Sequence, residues 1–242
     1  MMVLSFGGGL NTTAVLAGLY LRGIGLDATV FADTGGELPH TYRHIEEMSE
    51  WCVRHGYPPI ITVRNSGETL EQNCLRRKAL PAIAYGYRTC SQRWKLDPFE
   101  KWANNNPQIR AEWLAGRRVE KLIGYDADEP HRVKDYNDDR WVVSYPLIEW
   151  DMGRDECVDL IRSVGLEPPG KSACFFCPNR SDSEFRQMRE AYPEYLDLAI
   201  AMEENAELTS IKGLKRDYTL RQLLANEDLF GYTPNIPCGC TR

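Results

Sequence analysis

Residues 3–14 read Val3-Leu4-Ser5-Phe6-Gly7-Gly8-Gly9-Leu10-Asn11-Thr12-Thr13-Ala14, and this stretch decides the fold. The apolar residues 1–4 lead into three glycines. A polar patch, Asn11-Thr12-Thr13, follows, and then the helix-like run of residues 14–21. That order predicts a strand, a tight turn and a helix N-terminus. Glycines let a backbone come close to a ligand, and the free N–H groups at a helix start favour an anion. Ser5, Thr12 and Thr13 add hydroxyl donors. A phosphate or sulfate is the natural occupant; a glycine turn that binds nothing is the bland alternative. The stretch is not a Walker A loop, because no Lys follows the glycines. It is not a dinucleotide fingerprint, because Thr12 stands where the third glycine belongs.

Working outward, residues 30–33 end a second apolar strand, and residues 38–55 show helical spacing with Ile45, Met48, Trp51 and Cys52 on one face. Residues 59–63 and 119–125 read as further strands, and residues 141–147 as another extended piece. Residues 69–118 look mostly helical and irregular. A helix is expected from about residue 151 to 164, and another over 181–202, interrupted at Pro193. Strands alternating with helices predict an α/β fold with a doubly wound parallel sheet. The expected division is an α/β domain over residues 1–170 and a helical, cysteine-containing region over 171–242.

Composition narrows the classes. The chain has 242 residues, 43% of them hydrophobic, which suits one α/β domain with a small appendage. A net charge of −6 argues against nucleic-acid binding by bulk charge. No apolar stretch approaches the roughly 18 residues of a membrane span, and the N-terminus goes directly into a strand, so a cytoplasmic protein is expected. Eight cysteines in such a chain point to metal or redox chemistry more than to disulfides. Cys52 and Cys157 fall in amphipathic helical stretches and read as core thiols; Cys74 receives no role.

Ligands of a doubly wound sheet bind at the carboxyl ends of its strands. Three polar clusters fall there: the glycine turn, Asp33-Thr34-Gly35-Gly36-Glu37-Leu38-Pro39, and Gly124-Tyr125-Asp126-Ala127-Asp128-Glu129-Pro130-His131-Arg132. Cys174-Phe175-Phe176-Cys177-Pro178 is the sharpest metal signal, since C-x-x-C in a tight turn brings two thiolates onto one ion or cluster. A redox pair and a bare packing turn are the alternatives.

These segments together resemble one family over most of residues 3–180. The stretch from Ser5 to Thr13 resembles the PP-loop, usually Ser-Gly-Gly-x-Asp-Ser, of the adenine nucleotide α-hydrolase superfamily (the HUP, Rossmann-like fold), which holds ATP pyrophosphatases and the phosphoadenylylsulfate (PAPS) reductases. Here Asn11 stands where Asp is usual, keeping an acceptor and losing the negative charge. Asp33-Thr34-Gly35 with Leu38-Pro39 is similar to the PAPS reductase group's Asp-Thr-Gly…Phe-Pro. Gly124, Asp128-Glu129 and Arg132 are similar to its Gly-Ile-Arg…Glu…Arg, with Tyr125-Asp126 replacing Ile-Arg. Residues 88–98, with Cys90, Arg93 and Lys95, are similar to its Cys-Cys…Lys…Pro stretch, Thr89 replacing one Cys. Cys238 and Cys240 lie in a tail that shares only Cys-Gly with the reductases' catalytic tail.

The resemblance implies an enzyme that binds ATP with Mg²⁺, releases pyrophosphate and adenylates an acceptor, a nucleobase or nucleic acid, before sulfur is delivered. Ser5, Asp33 and Lys95 are the implied catalytic residues, with Mg²⁺ assisted by Asp33. Ser5, Gly7, Gly8, Gly9, Asn11, Thr12, Thr13, Asp33, Thr34, Gly124 and Arg132 are the implied nucleotide contacts. A [4Fe-4S] cluster on Cys90, Cys174 and Cys177, with Cys238 or Cys240 as fourth ligand, is favoured over Zn²⁺ on the same thiolates. The alternatives are a sulfonucleotide reductase and a non-catalytic, zinc-stabilised nucleotide-binding subunit. Candidate partners are the nucleotide, a nucleic-acid acceptor, a sulfur-donor or reductant protein and a second copy of the chain, with no membrane.

Overall fold

The computed structural model describes residues 1–87 and 89–230, the side chains of 226–230 excepted. In chain order the elements are β1 (Met2–Phe6), α1 (Leu10–Leu21), β2 (Ala28–Asp33), α2 (Pro39–Arg54), β3 (Ile60–Arg64), α3 (Leu70–Arg76) and the one-turn α4 (Thr89–Ser91). They continue with α5 (Asp97–Asn105), α6 (Pro107–Leu114), β4 (Val119–Ile123), β5 (Trp141–Ser144), α7 (Pro146–Glu149), α8 (Arg154–Ser163), α9 (Asp182–Ala191), α10 (Pro193–Asn205) and α11 (Leu220–Phe230). None of the described helices is long and apolar enough to cross a membrane.

The chain divides into two compact units. One comprises Met1–Gly67 and Arg93–Ser172, the other Glu68–Gln92 and Ala173–Arg242. This differs from the single cut expected at residue 170. The reason lies in the segment after β3: α3 packs on α10, and Glu207 N–H donates to the Lys78 carbonyl while Asn205 Nδ2 donates to the Leu75 carbonyl. Residues 68–92 therefore complete the helical unit rather than the sheet unit.

The first unit is an α/β sandwich around a five-stranded sheet of order β3-β2-β1-β4-β5, with every pairing parallel. Period-2 alternation on the central strands sends side chains into two separate cores. Leu4, Phe6, Phe31 and Leu122 join α1, α2 and α8 residues such as Leu16, Met48 and Ile161. Val3, Ala28, Val30 and Val119 join Phe99, Ala103 and Ile109 of α5 and α6. Both faces are thus covered, which is why β1 and β2 read as near-continuous apolar runs. Helix α1 is buried along nine of its residues, and a Cβ at Gly18 would stand 2.3 Å from Trp150, so the indole sets the glycine. The extended piece expected over 141–147 stops at Ser144 because Pro146 opens the short α7, where its missing N–H costs nothing.

The second unit is helical. Phe175, Phe176 and Phe185 are fully buried in it, each worth about 1.5–3 kcal/mol of burial. Ser181 caps α9 in a capping box with Glu184, and Thr69 does the same for α3 with Gln72.

Candidate functional site

The sheet order places β1 and β4 side by side although β2 and β3 lie between them in sequence on the other flank. The crevice outside the carboxyl ends of β1 and β4 is therefore the topological switch point, where ligands of open α/β sheets bind. The glycine turn and the loop after β4 both emerge there.

Gly9 is the N-cap of α1 and supplies no side-chain cap, so the first-turn amides have no intrahelical acceptor. Gly8 has φ +71°, a left-handed conformation that only glycine adopts without strain. A Cβ there would meet Thr41 Cγ2 at 3.1 Å. Gly124 is required by closeness: a Cβ would lie 3.0 Å from both Thr12 N and Thr12 Cγ2. The end of β4 is thus pressed against the start of α1.

Of the three hydroxyls expected to hold a phosphate, those of Thr12 and Thr13 are bonded within the turn and its surroundings. Thr12 Oγ1 accepts the Gly7 N–H at 3.2 Å and donates to the Gly9 carbonyl at 3.2 Å. Thr13 Oγ1 lies 3.0 Å from the Gly9 carbonyl and 2.8 Å from His44 Nε2. A hydroxyl has one hydrogen, so these two threonines shape the loop and leave anion contact to backbone N–H groups. His44 is buried and stacks on Phe6, and burial followed by the charge of His40 pulls its pKa down to about 4. A neutral imidazole therefore braces the helix start at neutral pH. Ser5 lies half-buried at the carboxyl end of β1, between Val30 and Ile123 in register.

Asp33 is held on both carboxylate oxygens. Its Oδ1 accepts from Gly35 N at 2.7 Å and Tyr42 Oη at 2.9 Å, and its Oδ2 accepts from Arg64 Nε at 2.7 Å and the same guanidinium's Nη2 at 2.6 Å. Those donors occupy the roughly four lone-pair sites of a carboxylate. Asp33 ties the loop after β2 to α2 and β3. Burial, then the Asp33 charge, pushes the Tyr42 phenol far above its usual range, keeping it a donor. Thr34 is buried beside it.

Two further expected site residues, Arg132 and Lys95, have different surroundings. Arg132 binds both oxygens of Glu129 at 2.7 and 2.6 Å and stacks 4.0 Å above the Tyr125 ring. Lys95 is exposed in the helical segment Gln92–Leu96, and no described hydrogen bond or ion pair joins it to the glycine turn.

Positions 11 and 126, both singled out by the sequence, meet in one contact. Asn11 Nδ2 donates to Asp126 Oδ2 at 3.0 Å. Asp126 is 3% exposed, and its Oδ1 is buried without a hydrogen-bond partner. Sequence reasoning passed over Asp126 as a loop acid; the signal was that positions 11 and 126 depart together. It also missed Ser172, whose hydroxyl donates to the Gly7 carbonyl at 2.6 Å and lies 3.3 Å from Glu37 Oε2, strapping residues 170–172 over the turn.

In the second unit, Cys177 N–H donates to the Cys174 carbonyl at 3.0 Å, closing the C-x-x-C turn. The buried Arg180 guanidinium donates to the carbonyls of Cys174 and Ala173 at 2.9 and 2.6 Å. Cys174 is buried, Cys177 half-buried, and Cys90 half-buried in α4 of the same unit. Among the described residues no three Cys, His, Asp or Glu side chains converge as a metal set. The expected grouping of Cys90, Cys174 and Cys177 is therefore not assembled by the described side chains alone; Cys238 and Cys240 lie outside the described residues. Cys74, which received no role, has its thiol pushed up to about 12 by burial and then by the neighbouring Cys90. Cys52 and Cys157 are fully buried core thiols.

No family model matches the chain. An uncharacterized protein of Methanocaldococcus jannaschii is 25% identical over 201 residues, 80% of this chain and 39% of that protein. The chain thus spans well under half the length of the curated relative it matches. Among solved structures, a PAPS reductase from Candida auris in a phosphate complex aligns over 72% of this chain and 80% of its own, at 14% identity and TM-score 0.48. The U34-tRNA thiolase NcsA from Methanococcus maripaludis, with its [4Fe-4S] cluster, aligns over 92% and 79%, at 13% identity and TM-score 0.43.

Proposed function

We propose that this chain is a PAPS reductase-like PP-loop enzyme that cleaves ATP between its α and β phosphates. An acceptor oxygen attacks the α-phosphorus, the α–β bridge breaks, and pyrophosphate leaves. The adenylated acceptor, a nucleobase or nucleic acid, then exchanges AMP for a sulfur nucleophile supplied by a donor protein. The observation that carries this reading is the uncapped start of α1 at the switch point, with a glycine turn braced from within and a glycine at the end of β4. Backbone N–H groups fixed in that way are suited to the charge that builds on a leaving pyrophosphate.

The cysteine turn supports the sulfur-handling half. Cys174 and Cys177 offer two thiolates from one turn, and Cys90 belongs to the same unit. No step is routed through a cluster, because the described ligands do not form a three-membered set. When bound, a cluster would supply a site for sulfur or electrons.

Two experiments test the reading. Anaerobically prepared protein incubated with ATP, Mg²⁺ and bulk tRNA or DNA should release pyrophosphate and AMP. Sulfite formed from PAPS or adenylylsulfate with a thiol reductant, and no pyrophosphate from ATP, would replace it with a sulfonucleotide reductase. Anaerobic protein should also carry iron and sulfide at about four each per chain, and Cys174→Ser should lose both. Colourless protein with one zinc would favour a structural site instead.

A further inference from the structure

The phosphate turn lacks the acidic residue that its sequence pattern usually carries, and Asn11 occupies the place. The missing charge has not left the crevice. Asp126, from the loop after β4, sits against the Asn11 amide, its Oδ2 accepting from Nδ2 at 3.0 Å. We infer that Asp126 is the carboxylate that holds the divalent cation of the bound nucleotide, in place of an acid at position 11. The inference rests on the nucleotide reading above and adds a residue to it.

Three observations carry it. First, Asp126 is 3% exposed, and its Oδ1 is buried with no hydrogen-bond partner. A buried carboxylate oxygen without a partner is costly and calls for a cation or a donor. Second, among the described residues no cation is paired with Asp126. Arg132 is held by Glu129, and the residues that flank the loop from α8 add acid: a Cβ at Gly153 would lie 2.9 Å from both Asp128 Oδ2 and Glu156 Oε2. Arg154 opens α8, but its backbone N–H donates to Asp128 Oδ2 at 2.8 Å and no described hydrogen bond or ion pair joins its guanidinium to Asp126. Third, the Asp126 loop begins at Gly124, whose missing Cβ lets it press against Thr12 at the start of α1. The carboxylate thus stands beside the amides that would take the phosphates. Mg²⁺ keeps several waters and binds through one or two carboxylates together with substrate phosphates, so a single protein acid at this position fits its chemistry. Asp33, the earlier choice, has all its lone pairs engaged.

The test is a charge relocation read by binding. Calorimetry measures ATP affinity with and without Mg²⁺, and the line shape of Mn²⁺ in its place is read by electron paramagnetic resonance. The wild type should bind ATP at least tenfold more tightly with Mg²⁺. Asp126→Asn should lose that gain while changing Mg²⁺-free affinity less than threefold, and it should lose the Mn²⁺ signal of the ternary complex. The double variant Asn11→Asp/Asp126→Asn returns the charge from the other side of the contact and should recover most of the gain. If Asp126→Asn does not fold, Asn11→Asp alone decides: two carboxylates in contact should make the melting temperature rise with Mg²⁺ alone, and a melting temperature indifferent to Mg²⁺ overturns the inference. A folded Asp126→Asn protein that keeps the full Mg²⁺ gain overturns it too and leaves the nucleotide reading standing. A wild type that binds no ATP under either condition removes both.

Discussion

The glycine turn and the cysteine turn are both short chain reversals, yet they hold their functional groups in opposite ways. At the glycine turn the first-turn amides of α1 have no intrahelical acceptor, and the side chains work inward: Thr12 and Thr13 bind loop atoms, and Asp33 accepts from Gly35, Tyr42 and Arg64. At the cysteine turn the bonds run to the backbone itself: Arg180 donates to the Cys174 and Ala173 carbonyls, and the Cys177 amide closes the turn on the Cys174 carbonyl. Amides belong to a helix dipole and can be positioned before any ligand arrives. Thiolates repel one another and are drawn together by the ion they bind. An anion site can therefore be complete in the chain alone, whereas a thiolate site is finished by its metal.

The comparison predicts that the first unit is the more sensitive to changes that never touch a ligand. Acid should act most strongly. His44 is neutral in the fold with a pKa near 4, against an unfolded value of about 6.5. Its contribution is full above pH ~6.5 and is lost as pH falls toward 4, a loss of about 3 kcal/mol. Urea melts at pH 7.5 and 4.5 measure it, and His44→Gln should flatten the difference; an unchanged slope would show that the imidazole does not brace the turn. Gly124→Val forces a side chain against Thr12 N and should cost about 1–3 kcal/mol. It should also speed amide exchange in the first turn of α1; normal exchange would break the claim that β4 pins the helix start. Thr13→Val removes the hydroxyl between His44 and the Gly9 carbonyl and should cost about 1–2 kcal/mol by leaving His44 Nε2 unmet. The smallest effect belongs to the other unit: Ser181→Ala deletes the α9 cap, for about 1 kcal/mol, read as a lower urea midpoint. An unchanged midpoint would mean that the capping box does not hold the start of α9.

The architecture could be read because its signals are local. The β1 run, the glycines and the amphipathic face of α2, with Ile45, Met48, Trp51 and Cys52 all buried, depend on neighbours in sequence. What escaped reading depends on partners brought from afar. Thr12 and Thr13 look like phosphate ligands until the Gly7 amide, the Gly9 carbonyl and His44 are seen to use them. Asp33 looks like a metal ligand until Tyr42 and Arg64 arrive from α2 and β3. Asp126 matters only because β4 lies beside β1, so that a loop acid meets Asn11. The membership of residues 68–92 in the helical unit was hidden for the same reason, since it rests on contacts with residues 205 and 207.

The strand order also bears on how the chain comes into being. Central strand β1 pairs with β2 early, but its other edge waits for β4, where Met2 meets Glu120 and Ser5 meets Ile123. At a ribosome adding about 5–20 residues each second, that wait lasts on the order of ten seconds. Throughout it the most apolar strand of the sheet has one open side, and the segment destined for the second unit is made in the meantime. Such distant parallel pairing is slow and leaves sticky edges exposed. Nascent chains stalled between residues 67 and 119 are therefore the ones that should recruit chaperones most heavily.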